Sequence, residues 1–235
     1  MSDWAMKRFW TEVTVTPKDT GFVIELDGRG VKTPAKAPLV APTQALADLI
    51  AAEWRAQEGS VDPNTMPATR MANAAIDRVT VQHREVAEML AAYGDSDLTC
   101  YRADYPEALV ARQAAAWDPA LEWAAETFGA RLAPRTGLMH DPQEDAALAA
   151  LAAEVHAMDA FRLAAFHDLV SLTGSLVLGL AATRDWRPAD AIWDASRIDE
   201  TWQEEKWGED EEATRQSTLK RIDFLIAKRH WDALD

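Results

Sequence analysis

The hydrophobic pattern of this chain changes its period near Pro42, and this change is the strongest constraint on the fold. Before it, apolar and polar residues alternate with a period of two, which is typical of a half-buried β-strand. The alternating apolar residues are Val13, Val15, Phe22, Ile24 and Leu26. After it, apolar residues recur every three or four positions, the period of an amphipathic helix. We therefore predict an α+β fold, in which a small N-terminal antiparallel β domain (residues 1–41) precedes a larger all-helical domain (residues 42–235).

Turn signals divide the β domain into a meander. Residues 18–21 separate the first two alternating runs, and the pair Asp27 and Gly28 favours the positive φ angles of a tight hairpin turn. The prolines between residues 34 and 42 are expected to end the strand pattern, because proline cannot donate a hydrogen bond to a ladder.

Prolines and glycines divide the helical domain. Thr43 is expected to cap a first helix with Trp54 on its buried face, and Gly59 to close it. Further helices are predicted at roughly residues 67–79, 82–93, 106–115, 119–128, 142–155, 158–182, 188–205 and 209–231. Within the segment 158–182, the stretch from Gly174 to Gly179 places small residues among large aliphatic ones, which lets a neighbouring helix approach closely.

The charge of the chain argues against two classes of partner. Its 39 Asp and Glu against 24 Lys and Arg give a net charge of −15. Phosphate recognition needs clustered cations, so we expect no nucleic-acid binding, and an anionic lipid surface would repel the chain. The most apolar stretch, Leu169–Ala182, is shorter than the roughly 20 residues that span a bilayer, so we do not expect an integral membrane protein.

The single cysteine and the N-terminal residues favour a reducing, cytosol-like compartment. Cys100 has no partner for an internal disulfide, and the first residues lack the basic-then-apolar layout of a signal peptide. We expect Cys100 to be a half-buried packing residue.

The sequence carries no common catalytic motif. It contains neither a P-loop nor a Gly-x-Ser-x-Gly elbow, and no two histidines have the i, i+4 spacing of a helical zinc pair. We therefore expect no cofactor, no metal and no enzymatic activity. One alternative stays open, an enzyme with a dispersed site in the helical domain that uses Glu154, His156 and Asp159.

Acidic residues and tryptophans are densest at residues 199–212, which we call the acidic-tryptophan segment. Gly208 is expected to end one helix, and the acids after it to stabilise the start of the next, which accounts for half or more of these acids. The interleaving of Trp193, Trp202 and Trp207 with the acids remains unexplained by this role. Aromatic anchors ringed by charge are typical of protein interfaces.

A succession of short motifs resembles the ATP12 family of assembly chaperones, in order and through nearly the whole chain. The first half contributes Arg8-Phe9-Trp10, Leu26-Asp27-Gly28-Arg29, Val31-Lys32-Thr33-Pro34, Ala52-Glu53-Trp54, Asp62-Pro63, Met66-Pro67 and residues 69–77. The second half contributes residues 97–103, Trp117-Asp118-Pro119, residues 174–178, residues 199–203 and residues 207–210.

The resemblance implies a factor that binds the newly made α subunit of F1 ATP synthase and shields its subunit interface until the β subunit replaces it. It implies no catalysis and no cofactor. The chain starts close to the β domain, so we expect a bacterial cytoplasmic protein, whereas eukaryotic relatives are mitochondrial. We also expect a monomer. A general adaptor that binds several partners is a further alternative.

The resemblance also implies where a partner binds, since acidic residues toward the C-terminal end of the family are regarded as important for chaperone action. The predicted partner-binding residues are Glu200, Trp202, Trp207, Glu209, Asp210 and Glu211.

Overall fold

The computed structural model describes residues 7–137 and 141–235. Within these ranges, the strands are β1 (Val13–Lys18), β2 (Gly21–Leu26), β3 (Arg29–Gly30), β4 (Val40–Ala41), β5 (Tyr101–Arg102) and β6 (Arg135–Thr136). The helices are α1 (Gln44–Ala56), α2 (Pro67–Ala74), α3 (His83–Ala91), α4 (Glu107–Phe128), α5 (Asp145–His156), α6 (Ala160–Thr173), α7 (Leu176–Thr183), α8 (Ala189–Ala195), α9 (Ile198–Trp207) and α10 (Glu211–Asp232). Short 3-10 turns lie at Pro63–Thr65, Ala92–Ser96 and Leu98–Cys100, and a π turn at Ala75–Val79.

The predicted antiparallel sheet is confirmed. Strand β1 pairs with β2 from Val13 opposite Leu26, and β2 also pairs with β3 and β4. Asp27 (φ 47°) and Gly28 (φ 76°) form the predicted tight turn. The strand pattern continues further than the prolines suggested, because β4 pairs with β2 just before Pro42.

The described residues form two compact units. The first contains the chain up to His83 together with Asp159–Ala165 and Arg229–Asp235, and the second contains Arg84–Met158 and Phe166–Lys228. The division into domains at residues 41 and 42 stays a prediction. In the first unit, α1 packs on the sheet, with Thr43 capping it as predicted and Trp54 buried against Trp10.

Helix α4 is longer than predicted, because it continues through Pro119. A proline inside a helix removes one backbone hydrogen bond and costs about 3 kcal/mol. Trp117 and Ala120 on either side of it are fully buried, as is Ala124 one turn later. The burial of this face outweighs the local loss, so one helix forms where proline suggested two.

The segment predicted as one helix at 158–182 is two helices, α6 and α7. Gly174 adopts a left-handed conformation (φ 67°) that ends α6, and the Ser175 hydroxyl accepts a hydrogen bond from Leu178 N–H and caps α7. The predicted close approach is found between these two helices. A Cβ on Gly179 would lie 2.7 Å from Val170 Cγ2, so only glycine fits there.

Within the described residues, no helix is both apolar enough and long enough to cross a membrane.

Candidate functional site

Helix α9 forms most of the acidic-tryptophan segment and has no fully buried residue. Helix α7 in the same unit buries seven residues, from Leu176 to Ala182. Hydrophobic burial provides most of the free energy that places a helix in a fold, so α9 depends on other contacts for its position. Three residues of α4, Arg112, Gln113 and Trp117, supply such contacts.

Two buried side chains of α4 hold the chain where α9 begins. The indole N–H of Trp117 donates to the carbonyl oxygen of Ala195 at 2.7 Å. One turn earlier, Gln113 Nε2 donates to Asp199 Oδ1 at 2.6 Å. The oxygen of the same amide accepts the Ala103 N–H at 2.8 Å, so both ends of the Gln113 side chain are engaged and its orientation is fixed.

The last turn of α9 is held by Arg112 of α4. Its two terminal nitrogens donate to the two carboxylate oxygens of Glu205, at 2.9 and 2.8 Å, in the forked geometry that suits arginine. The hydrogen bond to Arg112 lowers the pKa of Glu205 and raises the pKa of Arg112. The guanidinium carbon also lies 5.1 Å from the ring centre of Trp202, and Lys206 Nζ lies 4.8 Å from it. Trp202 is thus in contact with two cations of its own chain.

Two of the predicted acids have partners within the chain. Glu200 pairs with Arg197, with 2.9 Å between Oε1 and Nη1. Asp210 Oδ1 accepts the Ala213 N–H at 2.9 Å, which makes Asp210 the N-cap of α10. Gly208 ends α9 with a positive φ of 93° and donates its N–H to the Glu204 carbonyl. The predicted helix end and helix start are therefore confirmed here.

Three of the predicted residues remain available at the surface. Trp207 is 79% exposed, and Glu209 and Glu211 are exposed as well. Within residues 7–137 and 141–235, neither Glu209 nor Glu211 has an ion-pair or hydrogen-bond partner through its side chain. Trp193 is different from the other tryptophans of this region, because it is only 3% exposed and packs on Phe224. It belongs to the interior and is not a surface anchor.

Comparison with known proteins identifies the family. The family model described as "ATP12 chaperone protein" matches residues 7–125, which is half of the chain. The chain belongs to the ATP12 chaperone family. The crystal structure of Atp12 from Paracoccus denitrificans is 45% identical with a TM-score of 0.96, covering 99% of this chain and 100% of that one. A mutant of P. denitrificans Atp12p matches with the same identity and TM-score over 100% of both chains.

A curated relative extends the ATP12 family to a eukaryote. The mitochondrial protein atp12 of Schizosaccharomyces pombe is 24% identical over 222 residues, which are 89% of this chain and 76% of the relative. The acidic-tryptophan segment lies beyond the residues that the ATP12 family model matches, but inside the full-length match to the Paracoccus structures.

A second polar centre in this ATP12 family member is buried at the start of α7. The Asp97 carboxylate is 0% exposed and accepts hydrogen bonds from Thr99 N–H, from the Thr99 and Ser175 hydroxyls and from Val177 N–H, at 2.7 to 2.9 Å. Burial raises its pKa more than these hydrogen bonds lower it. Together with Ser175 it satisfies the free N–H groups at the first turn of α7, so its role is structural.

Cys100 lies beside this carboxylate and is fully buried, more than the half-buried position expected from the sequence. Burial, reinforced by the charge of Asp97, raises the pKa of the thiol to about 12. A thiol in this state is not a nucleophile at neutral pH.

Two residues of the alternative enzymatic site, Glu154 and Asp159, have ordinary structural partners, and the third, His156, is exposed at the end of α5. Glu154 Oε2 pairs with Arg184 at 2.7 Å, and Asp159 Oδ1 accepts the N–H groups of Phe161 and Arg162 at the start of α6. In the part of the chain that the structure describes, no group of three or more His, Cys, Asp or Glu could hold a metal ion.

Sequence reasoning missed the α4 residues that position the segment. Arg112 and Gln113 come about 90 positions before their partners, and nothing in their local sequence indicates a long-range contact. It also missed Leu219 and Ile222, which are about half exposed on α10. Leu219 is the one large apolar residue of the stretch 211–221, whereas Ile222 adjoins the apolar residues 224–226 and has no separate signal.

Proposed function

We propose that this protein is an assembly chaperone of ATP synthase that binds the free α subunit of F1 and shields its subunit interface until the β subunit replaces it. In this proposal the protein acts by binding alone, without catalysis and without a cofactor. Membership of the ATP12 chaperone family supports the chaperone role. The observation that carries the binding site is the exposed Trp207 next to the unpaired acids Glu209 and Glu211.

The exposure of Trp207 is a reason to expect a partner there. A tryptophan that is 79% exposed leaves a large apolar surface in water, and tryptophans of this kind are enriched among the residues that dominate binding energy at interfaces. Glu209 and Glu211 follow it at once and can pair with cations on a partner, which favours association and correct orientation. Glu200, Trp202 and Asp210 contribute in a different way, because their contacts within the chain shape this surface.

The chaperone would act by mass action. A free α subunit exposes apolar surface that its neighbours cover in the finished complex, and such surface promotes aggregation. A protein that covers it lowers the concentration of the aggregating species. The factor grows with the ratio of the free chaperone concentration to the dissociation constant of the complex. Replacement by the β subunit requires that the chaperone bind the α subunit more weakly than the β subunit does.

We place this activity in the bacterial cytoplasm and assign it to a monomer. The Paracoccus structures support a bacterial member of the family, and the Schizosaccharomyces relative is named as mitochondrial.

The test is the aggregation of purified α subunit, followed by light scattering with and without a stoichiometric amount of this protein. We expect strong suppression by the natural protein and weak suppression by the Trp207→Ala variant. Equal aggregation with and without the natural protein would contradict the proposal. A pull-down from cell extract adds a second criterion, since the α subunit should be the main protein recovered. Recovery of many unrelated proteins would instead favour a general adaptor.

A further inference from the structure

The two ends of helix α9 are held in different ways. Its first turn is tied to Gln113, which is only 1% exposed and has both ends of its amide engaged. Within the described residues, the polar contacts between its last turn and α4 are those of Arg112 with Glu205, whose side chains are 36% and 47% exposed. Between these ties, α9 has no fully buried residue. Arg112 therefore supplies the polar link between α4 and the last turn, through Glu205, and it also contacts Trp202.

We propose that Arg112 is the positioning residue of the acidic-tryptophan segment. It holds Glu205 and Trp202 against α4, and so fixes the direction in which Trp207, Glu209 and Glu211 leave the last turn. This inference rests on the proposed function, because it assigns Arg112 the task of preparing the surface that the α subunit meets. Arg112 itself does not have to touch that partner.

The pair has little influence on global stability but a large one on local order. Exposed ion pairs stabilise a folded protein only slightly, because water screens them. A helix turn without buried side chains opens at low free energy, so a forked ion pair with a stacked ring is a large share of what keeps it closed. A surface that is already ordered before binding loses less conformational entropy when it binds.

The task requires a forked guanidinium–carboxylate pair between α4 and α9. Lysine at position 112 could neutralise Glu205 but could not donate to both of its oxygens in one plane. Lys206 also lies on the Trp202 ring, yet it belongs to α9 itself and cannot tie that helix to α4.

Charge reversal and charge swap test the proposal. Arg112→Glu and Glu205→Arg should each weaken binding of isolated α subunit by about fivefold, the size expected for a modest pairwise interaction. The double variant restores the pair with opposite polarity and should return the affinity to within about twofold of the natural protein. The matched control is Arg131→Glu, which breaks a similar forked pair with Glu122 at the other end of α4 and should leave binding unchanged.

Hydrogen exchange of the free protein provides a measurement that needs no partner. Amides of residues 203–207 should exchange faster in both single variants and recover in the double variant, whereas Arg131→Glu should leave them unchanged. Unchanged exchange in the single variants would overturn the proposal. Weaker binding that the double variant fails to restore would also overturn it, because Arg112 would then act by direct contact. If the natural protein does not bind α subunit at all, the proposed function fails, while hydrogen exchange still decides the role of Arg112.

Discussion

Helices α7 and α9 belong to the same compact unit and use acidic residues in opposite ways. At α7, the carboxylate of Asp97 is removed from water and its oxygens are taken up by four donors. At α9 and the start of α10, Glu209 and Glu211 are exposed and have no partner among the described residues. The difference separates an acid that holds the fold together from acids whose side chains have no partner within the described residues.

The tryptophans follow the same division. Trp117 and Trp193 are buried, and Trp117 donates its indole N–H to a backbone carbonyl. Trp207 lies on the surface next to the unpaired acids. Tryptophan, which is costly to expose to water, therefore occurs both in the interior and at the surface. Substitutions of buried and of exposed tryptophans should have separable effects on stability and on binding.

The largest expected difference is between Trp193→Ala and Trp207→Ala. Trp193 fills space against Phe224, so its loss should lower the free energy of unfolding by about 3–5 kcal/mol. Trp207 buries little surface in the folded protein, so its replacement should leave the urea midpoint nearly unchanged. The same replacement should weaken α-subunit binding by about tenfold or more. Urea denaturation followed by circular dichroism, together with a binding titration, measures both. A comparable loss of stability in the two variants would remove the distinction between the regions.

The second-largest effect on stability is expected at the buried Asp97 carboxylate. In Asp97→Ala, buried donors on Thr99, Ser175 and Val177 lose their acceptor, and we expect a loss of about 3 kcal/mol in the free energy of unfolding. Asp97→Asn is the matched variant. Its oxygen can keep the donors of Thr99 and Ser175, and its amide group opposes only the Val177 N–H, so the loss should be smaller. An Ala variant as stable as the natural protein would show that the carboxylate is dispensable for the fold.

The raised pKa of Asp97 adds a dependence on pH. The folded protein holds this proton more tightly than the unfolded chain, so the stabilisation is fully present below the ordinary pKa of 3.8 and is lost as pH rises through the raised pKa of the folded state. The stability advantage of the natural protein over Asp97→Asn should therefore shrink as pH increases. Glu122 is the control with the opposite sign, because Arg131 lowers its pKa and its contribution is lost as pH falls. Unfolding titrations at several pH values measure how the contributions of Asp97 and Glu122 to the free energy of unfolding depend on pH.

The smallest effect on stability is expected at Glu209 and Glu211. Replacing both by Lys should lower the melting temperature only slightly, because neither side chain has a partner within the described residues and only Glu211 lies in the first turn of α10, where an acid adds about 0.3–1 kcal/mol. Binding of α subunit should weaken by about tenfold if these acids meet cations on the partner. The control for net charge is Asp19→Lys with Glu58→Lys, two exposed acids of the first unit. Equal weakening by both pairs would indicate a general charge effect, and an equal loss of fold would make the two glutamates structural.

Local sequence signals predicted the parts of this fold that depend on neighbouring residues. The alternation in β1 and β2, the Thr43 cap and the helix end at Gly208 are all determined within a few positions. The break at Gly174 was missed although its signal is local, because a glycine that can adopt a left-handed conformation is followed at once by a serine that can cap the next helix. The continuation of α4 through Pro119 was missed for a different reason, since burial from other elements overrides the local preference.

The sequence predicted which residues the candidate site contains, but not which of their side chains are exposed. The sequence placed Trp193, Trp202 and Trp207 in one surface, whereas one is buried, one is covered by cations and one is exposed. What separates them is Phe224 and Arg112, which lie on other helices. Spacing along the chain does not specify such partners, so the sequence could locate the segment but not rank its residues.

Because Cys100 is buried, the reactivity of its thiol reports on local opening of the folded protein. It is the only cysteine in the sequence, and its thiol is shielded from solvent beside Asp97. An alkylating reagent can react with it only after the fold has opened around the Leu98–Cys100 turn. The rate of alkylation therefore reports how often or how far the interior opens, whereas binding and release of a partner at the exposed Trp207 leaves it unchanged.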